Sequence, residues 1–431
     1  MTLKNQLPSS RWTSYRKWTD ETLRLRLQLF MSAIDKLALL EHTTSVLGKA
    51  MAISEPFSAG EFWCCFELTA DDGSLVIARL RLPKHPNNHS SEDGTYSIAC
   101  EVATMRFVQA HVPKVPVPKV YAFGDCNSEW ARKIGAPYML IEGFYGNTLF
   151  DVEWNLCELQ GSIQRHIITQ WTAIIAELAT VQLPMIGSIS EFSESDGATI
   201  GRLSYAEMDS LVTPGPFESV VGYYTAVIDT KCRSLRNKEA SNSLQLAYYA
   251  YRDIVQNSSV FKDLNEPPFP FNHMDLDTHN FLVDEEYNII AVIDWEFAQS
   301  APWHEHTLPI LFALFGNVFG ESDEAVLRLP AQVRCGNVSL REVTRQLYKK
   351  GFDNAERELQ KDGRDIRVSI STLLDSKGAR IKRLASILEH IDPMYIERCT
   401  LEMIRIAYEI DERDSANYLR NMDQQMNKNI Y

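Results

Sequence analysis

A predicted β-hairpin near residue 290 constrains the fold of this chain more than any other feature of its sequence. Two apolar runs of strand length, Phe281–Val283 and Ile289–Ile293, are separated by the polar, turn-forming residues 284–288. An antiparallel hairpin places the residues just before its first strand beside those just after its second strand. Side chains at these two positions are therefore expected to lie close together.

Polar residues occupy both of these positions. His273, Asp275 and Asn280 precede the first strand, and Asp294 follows the second. Phosphoryl transfer requires a carboxylate facing the attacking hydroxyl, and oxygen ligands that hold Mg²⁺ on the nucleotide phosphates. Asp275 is the predicted carboxylate that orients or deprotonates the hydroxyl. Asn280 and Asp294 are the predicted Mg²⁺ ligands, and His273 is expected to brace the loop by hydrogen bonding to backbone.

Two other interpretations use the same residues. His273, Asp275 and His279 are residue types that bind Zn²⁺ or iron in hydrolases, although the sequence offers no motif for a fourth ligand. The acidic and amide side chains can also simply cap turns, which is the usual role of any one of them alone. The complete set at this spacing favours phosphoryl transfer.

The spacing His-x-Asp-x-x-x-x-Asn at residues 273–280 is shared by protein kinases. Together with Ile-Asp-Trp-Glu at residues 293–296, it resembles the aminoglycoside phosphotransferase family. Ile186-Gly-Ser188 and Gly215-Pro-Phe217 resemble the fungal-type branch of that family. This resemblance implies an α+β, two-lobe protein kinase-like fold with a small, mainly antiparallel sheet and one helix in the first lobe. It implies a larger, mostly helical second lobe. The implied activity is ATP- and Mg²⁺-dependent phosphorylation of a hydroxylated small molecule, such as an aminoglycoside, a choline-like compound or a secondary metabolite.

The first part of the chain has the periodicity of such a sheet. The Asp72-Gly73 pair favours a tight hairpin, and the stretch Ser97–His111 has a helical apolar stripe that ends before Pro113. Strands are predicted at Val46–Ile53, Phe62–Leu68, Leu75–Leu82, 119–124 and Tyr138–Ile141. One helix between the third and fourth of five strands is thus expected.

This region also supplies the residues that a kinase needs on the nucleotide side. Gly60 lies in the predicted phosphate loop, Arg79 on the third strand and Glu101 in the helix, and Glu142 lies at the hinge expected to contact adenine through backbone. Arg79 stands where kinases have lysine, so a planar fork replaces a point charge. Arg81 lies on the same strand face and can share the phosphate contact.

Arg79 and the glycine-poor phosphate loop favour one alternative, a nucleotide-binding pseudokinase without catalysis. The predicted phosphate loop has a single glycine, and backbone amides approach phosphate less freely without glycine. Asp294-Trp-Glu296 also lacks the glycine of the usual kinase switch. We therefore expect a site that is always assembled, which suits a metabolic enzyme better than a signalling kinase.

The rest of the chain is predicted to be helical. Apolar residues recur at helical spacing at Ile163, Ile167, Trp171, Ile174 and Leu178, and again at Ile381, Leu384, Leu388 and Ile391. The predicted divisions are a basic arm and helix at 1–44, the nucleotide-binding lobe at 45–142, the lobe with the catalytic hairpin and substrate pocket at 143–345, and a helical tail at 346–431.

Composition narrows the partners. A net charge of −14 disfavours a nucleic-acid partner, because binding phosphate backbones requires a basic surface. The chain has no apolar run near the roughly 20 residues of a membrane span. Its eight cysteines are scattered, as in a reducing compartment. A cytoplasmic protein is expected, with a mitochondrial location as the alternative because basic and hydroxylated residues precede Asp20.

Overall fold

The computed structural model describes residues 21–60, 62–83, 94–153, 156–206, 210–307, 309 and 338–428. The chain divides into two compact units. The first unit, called the sheet unit below, comprises Met1–Val152, Ile189–Thr199 and Asp275–Ala298. The second, the helical unit, comprises Glu153–Ser188, Ile200–Met274 and Gln299–Tyr431. Each unit is described by itself, and the lobe boundaries predicted above remain predictions.

The elements are numbered in chain order. The strands are β1 (Ala52–Ile53), β2 (Ser58–Ala59), β3 (Trp63–Thr69), β4 (Leu75–Arg81), β5 (Val120–Gly124), β6 (Tyr138–Glu142), β7 (Asn147–Thr148), β8 (Gln182–Leu183), β9 (Ile189–Ser193), β10 (Gly197–Ile200), β11 (Phe269–Asn272), β12 (Phe281–Val283), β13 (Ile289–Val292) and β14 (Gln299–Ser300). The described helices are α1 (Glu21–Ser32), α2 (Lys36–Leu47), α3 (Thr95–His111), α4 (Glu129–Ile134), α5 (Leu149–Val152), α6 (Gly161–Ala179), α7 (Val220–Asn237), α8 (Asn242–Asn257), α9 (Val338–Lys361), α10 (Ile370–Leu373), α11 (Lys377–Ser386), α12 (Pro393–Tyr408) and α13 (Glu412–Lys428).

The sheet unit is built on an antiparallel sheet with the order β1-β3-β4-β6-β5, and β2 pairs with β3. Successive side chains on a strand point to opposite faces. On β4, Val76, Ala78 and Leu80 join the apolar core together with residues of α1 and α2. Arg79 and Arg81 therefore point to the opposite face. The five predicted strands and the intervening α3 are confirmed, as is the α+β class.

The first strand of the sheet begins later in the structure than the sequence predicts. Val46 lies in α2, and only Ala52–Ile53 of the predicted span forms a strand. Asp35 caps the start of α2 by accepting hydrogen bonds from two backbone N–H groups, and Gly48 ends the helix with φ of 66°. These caps satisfy helix termini and delay the strand, although the apolar residues of this span also suit a β pattern.

The hairpin predicted around residue 285 is confirmed and belongs to the sheet unit. β12 pairs antiparallel with β13, and β7 adds a third strand to this small sheet. The second strand ends at Val292, one residue before the predicted end. The sheet thus places residues 275–280 at one end of β12 and Asp294 just beyond β13.

The helical unit contains more β structure than the sequence indicates. α6 covers the predicted helix at Ile163–Leu178, but β8, β11 and β14 form a second three-stranded sheet that was not predicted. The hairpin of β9 and β10, nearly all of which belongs to the sheet unit, was also missed. These strands have two to five residues, too few for a period of two to stand out.

None of the described helices is long and apolar enough to cross a membrane.

The C-terminal helices are part of the core of the helical unit. Leu384, Cys399, Met403 and Leu419 are buried in one cluster with Tyr251 and other residues of α7 and α8. α11 ends at Ser386, earlier than predicted, so Leu388 and Ile391 lie beyond the observed helix, yet both remain buried. The tail is thus a structural component of this unit, a role that the sequence did not indicate.

A carboxylate on α8 ties the last two helices to this core. Tyr408 of α12 and Tyr418 of α13 both donate to Asp253 Oδ2, at 2.6 and 2.7 Å. Hydrogen bonds to a charged acceptor contribute more to stability than neutral ones. This shared acceptor fixes both helices against α8.

Asp253→Ala is expected to lower the free energy of unfolding by about 2 to 4 kcal/mol, because two tyrosine hydroxyls lose a charged acceptor. Urea denaturation followed by circular dichroism measures this change. Tyr418→Phe removes one of the two bonds and should cost less, and Asp365→Ala at an exposed site is the control. A loss for Asp253→Ala no larger than that of the control would show that the tyrosines do not secure the tail.

Candidate active site

The site begins on β4, where two arginines flank one tryptophan. Arg79 and Arg81 are two residues apart on a strand and so share a face, and Trp63 lies opposite Arg81 on β3. The guanidinium carbons lie 4.6 Å (Arg79) and 5.0 Å (Arg81) from the Trp63 ring centroid. At these distances the ring attracts both cations.

Arg79 joins three elements of the sheet unit. Its Nη1 donates to Glu101 Oε1 of α3, and its Nη2 donates to Asp294 Oδ1 at 2.9 Å. Burial raises the pKa of Glu101, and the contact with Arg79 opposes that effect. Burial lowers the pKa of Arg79, but the negative charges of Glu101 and Asp294 outweigh this effect, and the pKa lies above its ordinary value. The guanidinium thus stays charged between two carboxylates.

Asp294 is held in an unusual backbone conformation. Its φ of 65° and ψ of 62° lie in the left-handed region, which costs energy for a residue with a Cβ. A single 3₁₀ turn, Trp295–Phe297, follows. Trp295 is fully buried, and its indole donates to the Val292 carbonyl at 2.9 Å. The Asp294 side chain keeps 38% of its surface exposed, so it is accessible to a ligand.

A second ion pair lies beside the first and was missed from the sequence. Arg81 Nη1 lies 2.6 Å from Glu296 Oε1, and Trp63 Nε1 donates to Glu296 Oε2 at 3.2 Å. The Glu296 side chain is only 3% exposed. Burial raises the pKa of Glu296, while Arg81 acts in the opposite direction. The sequence signal was available, because two arginines on one strand face need buried counter-charges.

Asp275 and Asn280 are held together in front of β12. Asn280 Nδ2 donates to the Asp275 backbone oxygen at 2.6 Å and to its carboxylate Oδ2 at 3.1 Å. The Ile293 N–H donates to the Asn280 carbonyl at 3.0 Å, which registers this loop against the end of β13. The hairpin therefore brings Asp275 and Asn280 to the chain segment that carries Asp294.

The surroundings of Asp275 alter its acidity. The residue is exposed, but protein atoms packed around the carboxylate displace part of its water. This desolvation, followed by the negative charges of Asp277 and Asp294, raises the pKa of Asp275 to about 6. The hydrogen bond from Asn280 opposes the rise. A carboxylate with a pKa near neutrality suits proton acceptance from a hydroxyl.

An aromatic contact orders the loop between Asp275 and Asn280. The His279 ring stacks on Phe150 of α5, with ring centroids 4.0 Å apart. Its Nδ1 lies 3.1 Å from Asp277 Oδ1, and this hydrogen bond raises the pKa of His279. His279 thus has an acidic partner and a stacking partner on the loop.

The other predicted residues lie apart from these two groups. Gly60 follows β2, and its N–H donates to the Trp63 carbonyl at 3.0 Å. The N–H groups of Glu142 and Gly143 donate to the carbonyls of Lys119 and Leu75, so both amides are used within the sheet unit. His273 belongs to the helical unit, where it is fully buried immediately after β11.

Comparison with known proteins places this arrangement in a family. The family model of the APH phosphotransferase enzyme family matches residues 66–306, more than half of the chain. The matched region includes Arg79, Glu101, Asp275, Asn280 and Asp294.

Individual relatives are distant. Clavilactone A biosynthesis cluster protein Y of Ampulloclitocybe clavipes is 23% identical over 298 residues, which are 67% of this chain and 69% of that protein. A Ralstonia eutropha JMP134 protein assigned to the aminoglycoside phosphotransferases is 17% identical, with a TM-score of 0.48 over 90% of this chain and 96% of that one. The aminoglycoside phosphotransferase APH(4)-Ia, in a complex with ADP and hygromycin B, is 15% identical, with a TM-score of 0.43 over 90% of this chain and 97% of that one.

The family match covers the strand with Arg79, the helix with Glu101 and the complete β12–β13 hairpin. It agrees with the resemblance that the motif at residues 273–296 indicated. The chain belongs to the phosphotransferase enzyme family and is a small-molecule kinase.

Proposed function

We propose that this kinase transfers the γ-phosphate of ATP, as its Mg²⁺ complex, to a hydroxyl group of a small molecule. The observation that supports this most is the pairing of two groups on one hairpin. One group is Asp275 held by Asn280, and the other is Asp294 held by Arg79. Phosphoryl transfer is catalysed mainly by positioning and charge neutralisation, which these groups can provide.

Asp275 is the proposed base. Its exposed carboxylate can accept a hydrogen bond from the acceptor hydroxyl and take its proton as the phosphate is transferred. The amide of Asn280 holds Oδ2, so the carboxylate has one preferred orientation. His273 is proposed to brace this loop from its buried position after β11.

Asn280 and Asp294 are the proposed Mg²⁺ ligands. Mg²⁺ prefers oxygen ligands, and the residues fit this preference. The amide nitrogen of Asn280 donates to Asp275, so the side-chain oxygen of Asn280 points away from Asp275. The Asp294 carboxylate is 38% exposed. When bound, the metal would neutralise charge on the nucleotide phosphates.

Arg79 is the proposed cation for those phosphates. Its side chain points from β4 toward the accessible carboxylate of Asp294, and Glu101 holds the other arm of the fork. Gly60 and Glu142 are proposed to border the nucleotide through the β2–β3 turn and the segment after β6. These roles correspond to the phosphate loop and hinge of kinases.

The acceptor is proposed to be a hydroxylated secondary metabolite. Aminoglycosides and choline-like compounds fit the same chemistry, but the relative from Ampulloclitocybe clavipes is named as a member of a biosynthesis cluster. At 23% identity this supports a compound class and no individual compound.

Nucleotide binding is expected to depend on both Mg²⁺ and Asp294. Isothermal titration calorimetry with ATP, with and without Mg²⁺, should show tighter binding with the metal for the natural protein. Asp294→Asn should remove most of that gain, because it replaces a charged ligand with a neutral one. Asp71→Asn, at an exposed turn of the sheet unit, is the matched control. No ATP binding at millimolar concentration would contradict the proposed function.

Asp275→Asn is expected to lower kcat for phosphate transfer by about three or more orders of magnitude, since the proposed base is lost while size and shape remain. The KM for ATP should change little. Asp277→Asn, two residues away, is the matched control and should stay active. Nucleotide binding without transfer in the natural protein, across a panel of hydroxylated metabolites, would instead favour the pseudokinase alternative.

The pH dependence is expected to follow Asp275. A base must be ionised, so kcat/KM should fall as pH decreases through about 6, the pKa of this carboxyl. Asp277→Asn removes a negative charge that raises this pKa, so its acidic limb should move to lower pH. A pH profile of kcat/KM, with Asp71→Asn as the charge-matched control, measures the shift. Coincident limbs in all three proteins would exclude Asp275 as the titrating base.

A further inference from the structure

We propose that Arg81, Glu296 and Trp63 are positioning residues that hold the Asp294 loop in place, and that Arg81 is not a phosphate ligand. The term clamp is used below for these three residues. The inference rests on the proposed function for the role of Asp294 in catalysis, but the clamp itself is defined by contacts within the sheet unit.

Both oxygens of Glu296 are engaged by neighbouring strands of the main sheet. Arg81 of β4 contacts Oε1 at 2.6 Å, and Trp63 of β3 donates to Oε2 at 3.2 Å. A carboxylate that is only 3% exposed is costly to bury unless its charge and hydrogen-bonding capacity are matched. Arg81 supplies the opposite charge and Trp63 supplies a hydrogen bond, and both connect residue 296 directly to the sheet.

Arg81 also contacts two aromatic rings and residues at the start of α3. Its guanidinium carbon lies 4.9 Å from the Phe62 ring centroid and 5.0 Å from that of Trp63. Its Nη2 lies 3.3 Å from Ser97 Oγ at the start of α3. A Cβ added at Gly94 would lie 3.0 Å from Arg81 Nε. The Arg81 side chain keeps 11% of its surface exposed, similar to the 9% of Arg79, but the carboxylate that it faces is buried.

The neighbouring arginine differs in this respect. Arg79 also pairs with buried Glu101, but its second partner, Asp294, is 38% exposed. A ligand can thus reach the group beside Arg79, whereas Arg81 ends at Glu296, which is 3% exposed. We therefore propose different roles for the two strand neighbours, in place of a shared phosphate contact.

The loop needs such a restraint because Asp294 is strained. A residue with a Cβ at φ of 65° persists only when the surrounding structure determines its conformation. Glu296 follows Asp294 by two residues, so anchoring it limits where the Asp294 carboxylate can point. Phe297 adds an edge-to-face contact with Phe62 at 6.2 Å. The clamp replaces the glycine hinge of regulated kinases with a fixed turn.

The test uses the full-length protein and the variants Glu296→Gln, Arg81→Gln and Trp63→Phe. Glu296→Gln keeps the side-chain size, Arg81→Gln shortens the side chain, and each removes one charge of the pair. Trp63→Phe removes the indole N–H and leaves a smaller aromatic ring. Glu177→Gln is the control, because it makes the same change in another ion pair, with Arg364 in the helical unit. Thermal melting establishes that each variant is folded, and Trp63→Phe remains informative if a charge variant is not.

Hydrogen exchange tests the clamp without any ligand. The amide of Ala298 donates to Trp295 O at 3.1 Å, and the amide of Ile293 to Asn280 O at 3.0 Å. Exchange in peptides covering residues 293–298 should accelerate about tenfold in the charge variants and less in Trp63→Phe, because local opening becomes easier. Glu177→Gln should leave these peptides unchanged. Unchanged exchange in all three clamp variants would overturn the inference.

Kinetics and binding separate positioning from phosphate contact. For a positioning role, Arg81→Gln and Glu296→Gln should both raise the Mg²⁺ concentration needed for half-maximal rate by about tenfold, and the double variant should be no worse than either. Affinity for ATP without Mg²⁺ should be unaffected. Weaker metal-free ATP binding in Arg81→Gln, with Glu296→Gln unaffected, would overturn the inference by making Arg81 a phosphate ligand.

The two proposals can fail independently. If the natural protein does not bind ATP, the proposed function fails, and the exchange measurement alone decides whether the clamp exists. If ATP binding and transfer occur but neither charge variant alters exchange or Mg²⁺ dependence, the proposed function stands and the positioning role is wrong.

Discussion

The guanidinium of Arg79 is the point on which the sheet unit converges. It is the side chain that joins β4, the helix α3 through Glu101 and the turn after β13 through Asp294. A buried cation needs matched charges, and removing one partner of such a group is more damaging than never having built the pair. The same atoms that stabilise the unit therefore orient a carboxylate that remains accessible.

The β12–β13 hairpin positions the second group of site residues, Asp275 and Asn280. β12 and β13 are short, but β7 extends their sheet, and the Asn280 carbonyl accepts from Ile293 across the hairpin. Asn280 then positions Asp275 through its amide. Backbone pairing in the hairpin thus fixes the position of the loop. The loop in turn fixes the orientation of the proposed base, Asp275.

Replacing the kinase lysine by arginine changes how this charge is held. A lysine ammonium is a point charge on a flexible stem, whereas a guanidinium can bind two carboxylates along two arms of one plane. Arg79 uses both arms, and the face of Trp63 limits its movement. A second arginine on the same strand face then requires its own counter-charge, which Glu296 supplies. Each of the two arginines on this strand face thus has its own carboxylate partners.

Local sequence patterns determined the strands at Phe62–Leu68 and Leu75–Leu82, the helix with Glu101, the catalytic hairpin and the motif that identifies the family. Each of these depends on periodicity or spacing within about twenty residues. Tertiary structure alone decided the partner of Arg81, the burial of the C-terminal helices against α8 and the short strands of the helical unit. These features depend on residues far apart in the chain, such as Trp63 and Glu296 or Asp253 and Tyr418. A charged residue indicates that it needs a partner, but only the folded chain determines which one comes within reach.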